Sequence, residues 1–127
     1  MILEVLPRTL VGIAHNQTLN NHPLPIQAWH KGGVGYTSLG PRVVESLPDP
    51  EHTPIRVYVN GSLRADSGTQ QLPSTIAQSL AYVAAWVPLG PGDVIMTGAP
   101  GTAVPVQPGD VVRIVVDGIG TLENPVV

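Results

Sequence analysis

Apolar runs of strand length, separated by turn residues, dominate this chain. "TLVGIAH" (9–15) and "PRVVES" (41–46) are two such runs. "PIRVYVNGSLRAD" (54–66) alternates apolar and polar positions around Asn60-Gly61, and Asn-Gly between alternating runs is the strongest short-range hairpin signal. Strand side chains point alternately to opposite faces, so Ile55, Val57 and Val59 are expected on one face and Arg56, Tyr58 and Asn60 on the other. "LGPGDVIMTG" (89–98) and "VQPGDVVRIVVDG" (106–118) each place Pro-Gly-Asp before a Val-rich strand. Proline presets φ at the first central turn position and glycine supplies a positive φ at the second, so both predict type II turns. Asp93 and Asp110 are then expected to close the turns by accepting backbone N–H bonds. The chain ends in a last strand, "GIGTLENPVV".

One segment breaks the β pattern. "PSTIAQSLAYVAAWV" (73–87) sets Ile76, Leu80, Val83 and Val87 at helical spacing beside Ala77 and Ala84, with Ser74 as the expected N-cap and Pro88 as the stop. Its apolar stripe is read as a core-facing surface. The polar, proline-bearing "TLNNHPLP" (18–25) has no assigned regular structure.

Composition narrows the picture. The chain has 127 residues, room for one core, and is read as a single domain over 1–127. Charged residues make up only 12%, about half the usual share, which predicts that a partner subunit covers part of the surface. Net charge is −3 and the five arginines (8, 42, 56, 64 and 113) are scattered, so no nucleic-acid partner is expected. Without cysteine there is no disulfide, thiolate metal site or cysteine nucleophile. "MILEVLPRTL" does not read as a signal peptide and no apolar stretch reaches membrane-spanning length, so the expected setting is cytoplasmic, with no membrane partner. Lys31 is the only lysine and opens a glycine-rich loop, "HKGGVGYTSLGP" (30–41).

Three stretches together resemble the fumarylacetoacetate hydrolase family: the Lys31 loop running into Leu39-Gly40-Pro41, then "PGDVIMTGAP", then "PGDVV" followed by "GIGTLENPVV". "TLVGIAHN" resembles the family's N-terminal strand, placing His15 near the catalytic histidine region. The resemblance implies a mainly β (α+β) fold, a mixed β-sheet roll of the family's C-terminal type with one packed helix at about 73–87, usually as a homodimer. It also implies chemistry on 1,3-dicarbonyl or 2-oxo acid substrates through an enolate, with a divalent ion as Lewis acid and a lysine at the enolate oxygen.

The family's metal-binding carboxylates are missing from the interval where they belong. Residues 17–27, "QTLNNHPLPIQ", contain none, Val34 stands where the family has an aspartate, and Ala99 replaces the second threonine of Thr-Gly-Thr-Pro. A hard divalent cation needs several oxygen ligands with charge among them. The expectation is a shortened, metal-independent relative with no metal site and no cofactor. His15, His22, His30 and His52 lack the paired spacing of a zinc site, and His22 and His52 read as inert loop residues.

Without a metal, an enolising site needs hydrogen-bond donors at the oxygen and a base at the carbon acid. Lys31 is the candidate donor, with the backbone N–H groups of Gly32 and Gly33 beside it. His15 or His30 is the candidate base, since imidazole titrates near neutral pH. Thr97 offers a hydroxyl, while Tyr36 and Trp29 would wall a small organic ligand. Each has a plainer reading: Lys31 as a surface residue, His15 as a hydrogen-bonded core histidine, Thr97 as ordinary strand composition, Trp29 as a cover for the core. A Schiff base on Lys31 is a variant of the same site. The functional expectation is an isomerase, cyclase or lyase acting on a dicarbonyl or enol-bearing small molecule. The alternatives are a non-catalytic small-molecule-binding or scaffold domain, and an internally deleted metal-dependent C–C hydrolase.

Overall fold

The computed structural model describes the backbone of residues 2–5 and 9–16 and the whole of residues 37–127. Among the described residues the fold is mainly β with one α-helix. Eight strands among these residues form two four-stranded sheets: β1 (Ile2–Val5), β2 (Thr9–Asn16), β3 (Thr37–Val44) and β6 (Asp93–Met96) in the order β3-β2-β1-β6, and β4 (Pro54–Val59), β5 (Ser62–Gly68), β7 (Val111–Val116) and β8 (Gly120–Pro125) in the order β5-β4-β7-β8. The expected mixed roll is more regular than its name: every pairing among the described strands is antiparallel.

The hairpin lies where the Asn-Gly signal puts it. Asn60 and Gly61 both take positive φ, 51° and 80°, the backbone twist that joins two strands without splaying them. Along β4, Ile55, Val57 and Val59 are buried while Arg56 and Tyr58 are half-buried, as alternation requires. Both Pro-Gly-Asp turns are also formed as read. Gly92 and Gly109 each sit at φ 93°, a conformation that a Cβ would strain. Asp93 Oδ2 accepts from Gly90 N at 2.7 Å, and Asp110 Oδ2 accepts from Gln107 N at 2.8 Å.

Asn60 does more than turn the hairpin. Its Nδ2 donates to Asp110 Oδ1 at 2.8 Å, its Oδ1 accepts from Val111 N at 2.9 Å, and its own N–H donates to the Val111 carbonyl at 2.9 Å. One side chain thereby ties the β4-β5 turn to the entrance of β7. Asn60→Ala loses two side-chain bonds, one to a charge, and adds the left-handed backbone penalty, for an expected loss of about 2–3 kcal/mol. Asn60→Gly escapes the backbone penalty and should lose about 1 kcal/mol less. Equilibrium urea unfolding of the two variants checks the order.

The same contacts hold the Asp110 carboxyl below the usual aspartate range, through the Gln107 N–H first, then the Asn60 amide and the nearby Arg64 charge, against a small opposing effect of burial. A carboxyl with a depressed folded-state pKa stabilises the fold above its unfolded-state pKa, and that stability is lost as pH falls through the folded value. Wild type should therefore exceed Asp110→Asn in stability near neutral pH, with the gap narrowing below about pH 4. Urea midpoints across that range test this.

The helix, α1 (Ile76–Ala84), is shorter than the periodic segment that predicts it. Thr75, not Ser74, is the N-cap. Its hydroxyl accepts from Gln78 N at 3.1 Å, and the Gln78 amide oxygen accepts from Thr75 N at 3.0 Å. Both oxygens of Glu51 accept from Ile76 N, at 3.0 and 3.2 Å, so a carboxylate faces the positive end of the helix. Ile76 is buried, Leu80 and Val83 pack against the core, and Val87 is 52% exposed beyond the helix end. β3 begins four residues earlier than the run that suggested it and stops before Glu45.

The main core joins all the layers: Ile55, Val116 and Leu122 from the second sheet with Ile119 from its β7-β8 turn, Ile95 from the first and Ile76 from the helix. A second cluster of Val57, Val59, Val112 and Val126 fills the hairpin end.

Candidate active site

Topology decides what the first sheet can bring together. Gly12 of β2, Ile2 of β1 and Met96 of β6 share one rung. β2 and β6 both run antiparallel to β1, so they run the same way as each other and finish at the same end of the sheet. His15 lies three residues past Gly12, and Thr97 lies one residue past Met96. β3 starts at this end too, with Thr37 opposite Asn16 and Ser38 opposite His15. Two strand spacings separate β2 from β6, about 10 Å, the width of a small organic acid with its neighbours. His15, Thr97 and the start of β3 are thus at one edge. Lys31 precedes Thr37 by six positions. Lys31, His30, Gly32, Gly33, Tyr36 and Trp29 lie outside the described residues.

The loop after Thr97 is fixed by contacts the sequence does not announce. Ser67 Oγ donates to the Pro100 carbonyl, and Pro100 is buried. Gly101 has φ 66°, which favours glycine there; a Cβ would also lie 2.9 Å from the mobile Gln71 Oε1, which would have to move aside. The end of β5 and the 3-10 turn Thr69–Gln71 therefore hold the segment behind Thr97. That turn is itself locked: Thr53 N donates to Thr69 Oγ1 at 2.8 Å and Thr69 N to the Thr53 carbonyl at 3.0 Å, with both threonines buried.

Residues 13–127 match the family model for the fumarylacetoacetate (FAA) hydrolase C-terminal region. The chain belongs to this family. It is 40% identical over 83 residues to the 4-hydroxyphenylacetate degradation bifunctional isomerase/decarboxylase of Escherichia coli, covering 65% of this chain and 19% of that protein. Among solved structures it is similar to a 5-carboxymethyl-2-hydroxymuconate delta-isomerase from Mycobacterium smegmatis, with 43% identity, TM-score 0.72, and coverage of 78% of this chain and 39% of the other. It is also similar to a maleylpyruvate hydrolase from Sphingobium sp. SYK-6 in complex with manganese(II) ion and pyruvate, with 34% identity, TM-score 0.67, and coverage of 72% and 36%. The chain spans well under half the length of each of these three relatives.

That manganese-bound relative poses a question for this chain's own donors. Residues 17–36 carry no carboxylate. Among the described residues, no group of three Asp, Glu or His side chains is gathered as a metal ion requires. Most described carboxylates hold structure instead. Asp49 accepts from Glu51 N and lies 2.9 Å from His52 Nδ1, Glu51 caps α1, Asp93 and Asp110 close turns, and Asp117 and Asp66 flank Arg56 at 3.1 and 4.0 Å. The described side chains by themselves do not gather the several charged oxygens that a hard divalent cation takes. His52, read from the sequence as an inert loop residue, is exposed and paired with Asp49.

Proposed function

We propose that this chain is a metal-independent enzyme that enolises a β-dicarbonyl or enol-bearing small molecule, by isomerisation, cyclisation or decarboxylation. The observation that carries the reading is the shared sheet end. It is supported by the backbone positions of His15, Thr97 and Thr37, which lie toward that end, in a chain whose relatives include an isomerase/decarboxylase and a delta-isomerase.

In this reading a histidine, His15 or His30, removes the proton between the carbonyls as a neutral imidazole. The freed electron pair moves onto the carbonyl oxygen, where the Lys31 ammonium and the Gly32 and Gly33 N–H groups meet the charge. Isomerisation returns the proton to a different carbon. Decarboxylation breaks the bond to the carboxylate instead, releases CO2 and leaves the same enolate to be protonated. Thr97 orients the ligand, and Trp29 and Tyr36 exclude water. The working form is a homodimer.

The short span favours one second reading, an internally deleted or partial version of a metal-dependent hydrolase. Calorimetric titration of chelator-treated protein with Mg²⁺ and Mn²⁺, with and without oxaloacetate, separates the two. The proposal expects oxaloacetate binding without metal, lost in Lys31→Ala. Tight, ligand-dependent metal binding would overturn it.

A further inference from the structure

Asn60 is followed by glycine, and no other asparagine in the chain is. The dipeptide that turns the hairpin is also open to a reaction within its own backbone. The Gly61 nitrogen can attack the side-chain amide carbon of Asn60, and glycine has no side chain to shield that nitrogen. Both residues are exposed, and a Cβ at Gly61 would meet nothing within 4 Å. The attack joins Gly61 N to Asn60 Cγ and breaks the Cγ–Nδ2 bond. Nδ2 leaves as ammonia, carrying the proton that Gly61 N gives up. Water then opens the five-membered imide at either carbonyl. One product is aspartate; the other is isoaspartate, in which the main chain runs through the former side chain. Asn124 has no such route, because Pro125 follows it and brings no N–H.

We propose that Asn60 is a modification site, guarded by Asp110 and Val111, whose conversion to aspartate or isoaspartate unlatches the β4-β5 hairpin from β7. The guard lies in the contacts. Attack needs the amide turned back over Gly61 N, but both its ends are fixed on the entrance to β7. Nδ2 is held by Asp110 Oδ1 at 2.8 Å and Oδ1 by Val111 N at 2.9 Å, while the Asn60 N–H holds the backbone to the Val111 carbonyl. Cyclisation therefore waits for this corner to open locally. Conversion then removes the means to close it again. Aspartate lacks the Nδ2 donor and sets a second carboxylate against that of Asp110, like charge on like. Isoaspartate adds a methylene to the backbone between Val59 and Ser62, which are paired across a two-residue turn, and hairpin register follows loop length. The cluster of Val57, Val59, Val112 and Val126 at this end is the part of the core that an open latch exposes.

Timed incubation of the full chain in mildly alkaline buffer, followed by peptide mass mapping of residue 60, measures the conversion. Folded wild type should convert about 10-fold or more slowly than wild type unfolded in urea, because only the open fraction reacts. Asp110→Ala should speed conversion of the folded chain about 10-fold, the effect on local opening of losing one hydrogen bond to a charge. Asp93→Ala is the control: Asp93 closes the matching Pro-Gly-Asp turn in the other sheet, so its loss should leave the rate near that of wild type. Asn60→Asp reads the consequence directly. Its urea midpoint should fall below wild type near neutral pH, with the gap narrowing in acid as the facing carboxyls protonate. Circular dichroism checks each variant for folding; should Asp110→Ala not fold, the folded-against-unfolded rates and the Asn60→Asp midpoint still decide. Equal rates in folded and unfolded wild type, or equal acceleration by Asp110→Ala and Asp93→Ala, would overturn the guard. An Asn60→Asp midpoint equal to wild type would overturn the unlatching.

Discussion

Replacing Lys31 by alanine is expected to lower turnover of oxaloacetate, as a generic dicarbonyl substrate, by about 100- to 1,000-fold, the usual cost of removing one donor from a developing oxyanion. The chain has no second lysine to take over the role. Melting temperature should stay nearly unchanged, because one ammonium contributes little to the stability of a domain this size. Lys31→Arg separates charge from shape. If the site needs only a positive charge, activity partly returns; if it needs a compact ammonium, the planar guanidinium restores little. Borohydride treatment in the presence of oxaloacetate distinguishes the Schiff-base variant, since only a covalent imine leaves ligand mass on Lys31. Full turnover in Lys31→Ala would end the catalytic reading and favour a scaffold domain. His15→Gln and His30→Gln, compared over pH, then identify the base: the one whose loss removes the dependence near pH 6.5 is the proton carrier.

What was legible in the sequence was local chemistry. Asn60-Gly61 and the two Pro-Gly-Asp turns specify their own backbone angles, so they appear where residue type alone puts them. The helix was legible as a period, but its first residue was not. Ser74 and Thr75 are both good caps, and the choice is made three residues on. Gln78 can return a bond to Thr75, whereas Ser74 has Ala77 in that position. β3 starts at Thr37 because β2 offers it a partner through Asn16, a register no window of residues 41–46 contains.

The features that fasten the site and the sheets are further apart still. Asn60 reaches Asp110 across 50 positions, and Ser67 reaches Pro100 across 33. Arg113 finds Tyr58 only because β4 and β7 are neighbours. Of the candidate site, the sequence supplied the residue types, and the topology supplied the reason His15 and Thr97 share one sheet end.

Ile119→Ala is expected to be the most damaging single substitution, at about 3–4 kcal/mol. Ile119 is 1% exposed and belongs to the cluster where the second sheet meets Ile95 of the first and Ile76 of the helix. Truncation removes one of the most deeply buried members of the cluster that joins the three layers. Its neighbours include strand residues held by their ladders, so the space left behind collapses poorly and the cavity cost is retained. For a domain of this size that loss lowers the melting temperature by roughly 10–20 °C, a large part of a typical stability of about 5–15 kcal/mol. Ile119→Val keeps the branched shape and should cost about 1 kcal/mol. The consequence reaches the site through Ile95, which anchors β6 two residues before Thr97. A partly loosened core should therefore raise KM for a dicarbonyl ligand before the fold melts, whereas Lys31→Ala should act mainly on kcat. Urea unfolding together with kinetics well below the melting temperature reads both effects. If Ile119→Ala proves as mild as Ile119→Val, the three layers do not meet at this residue and the link from core to Thr97 fails with it.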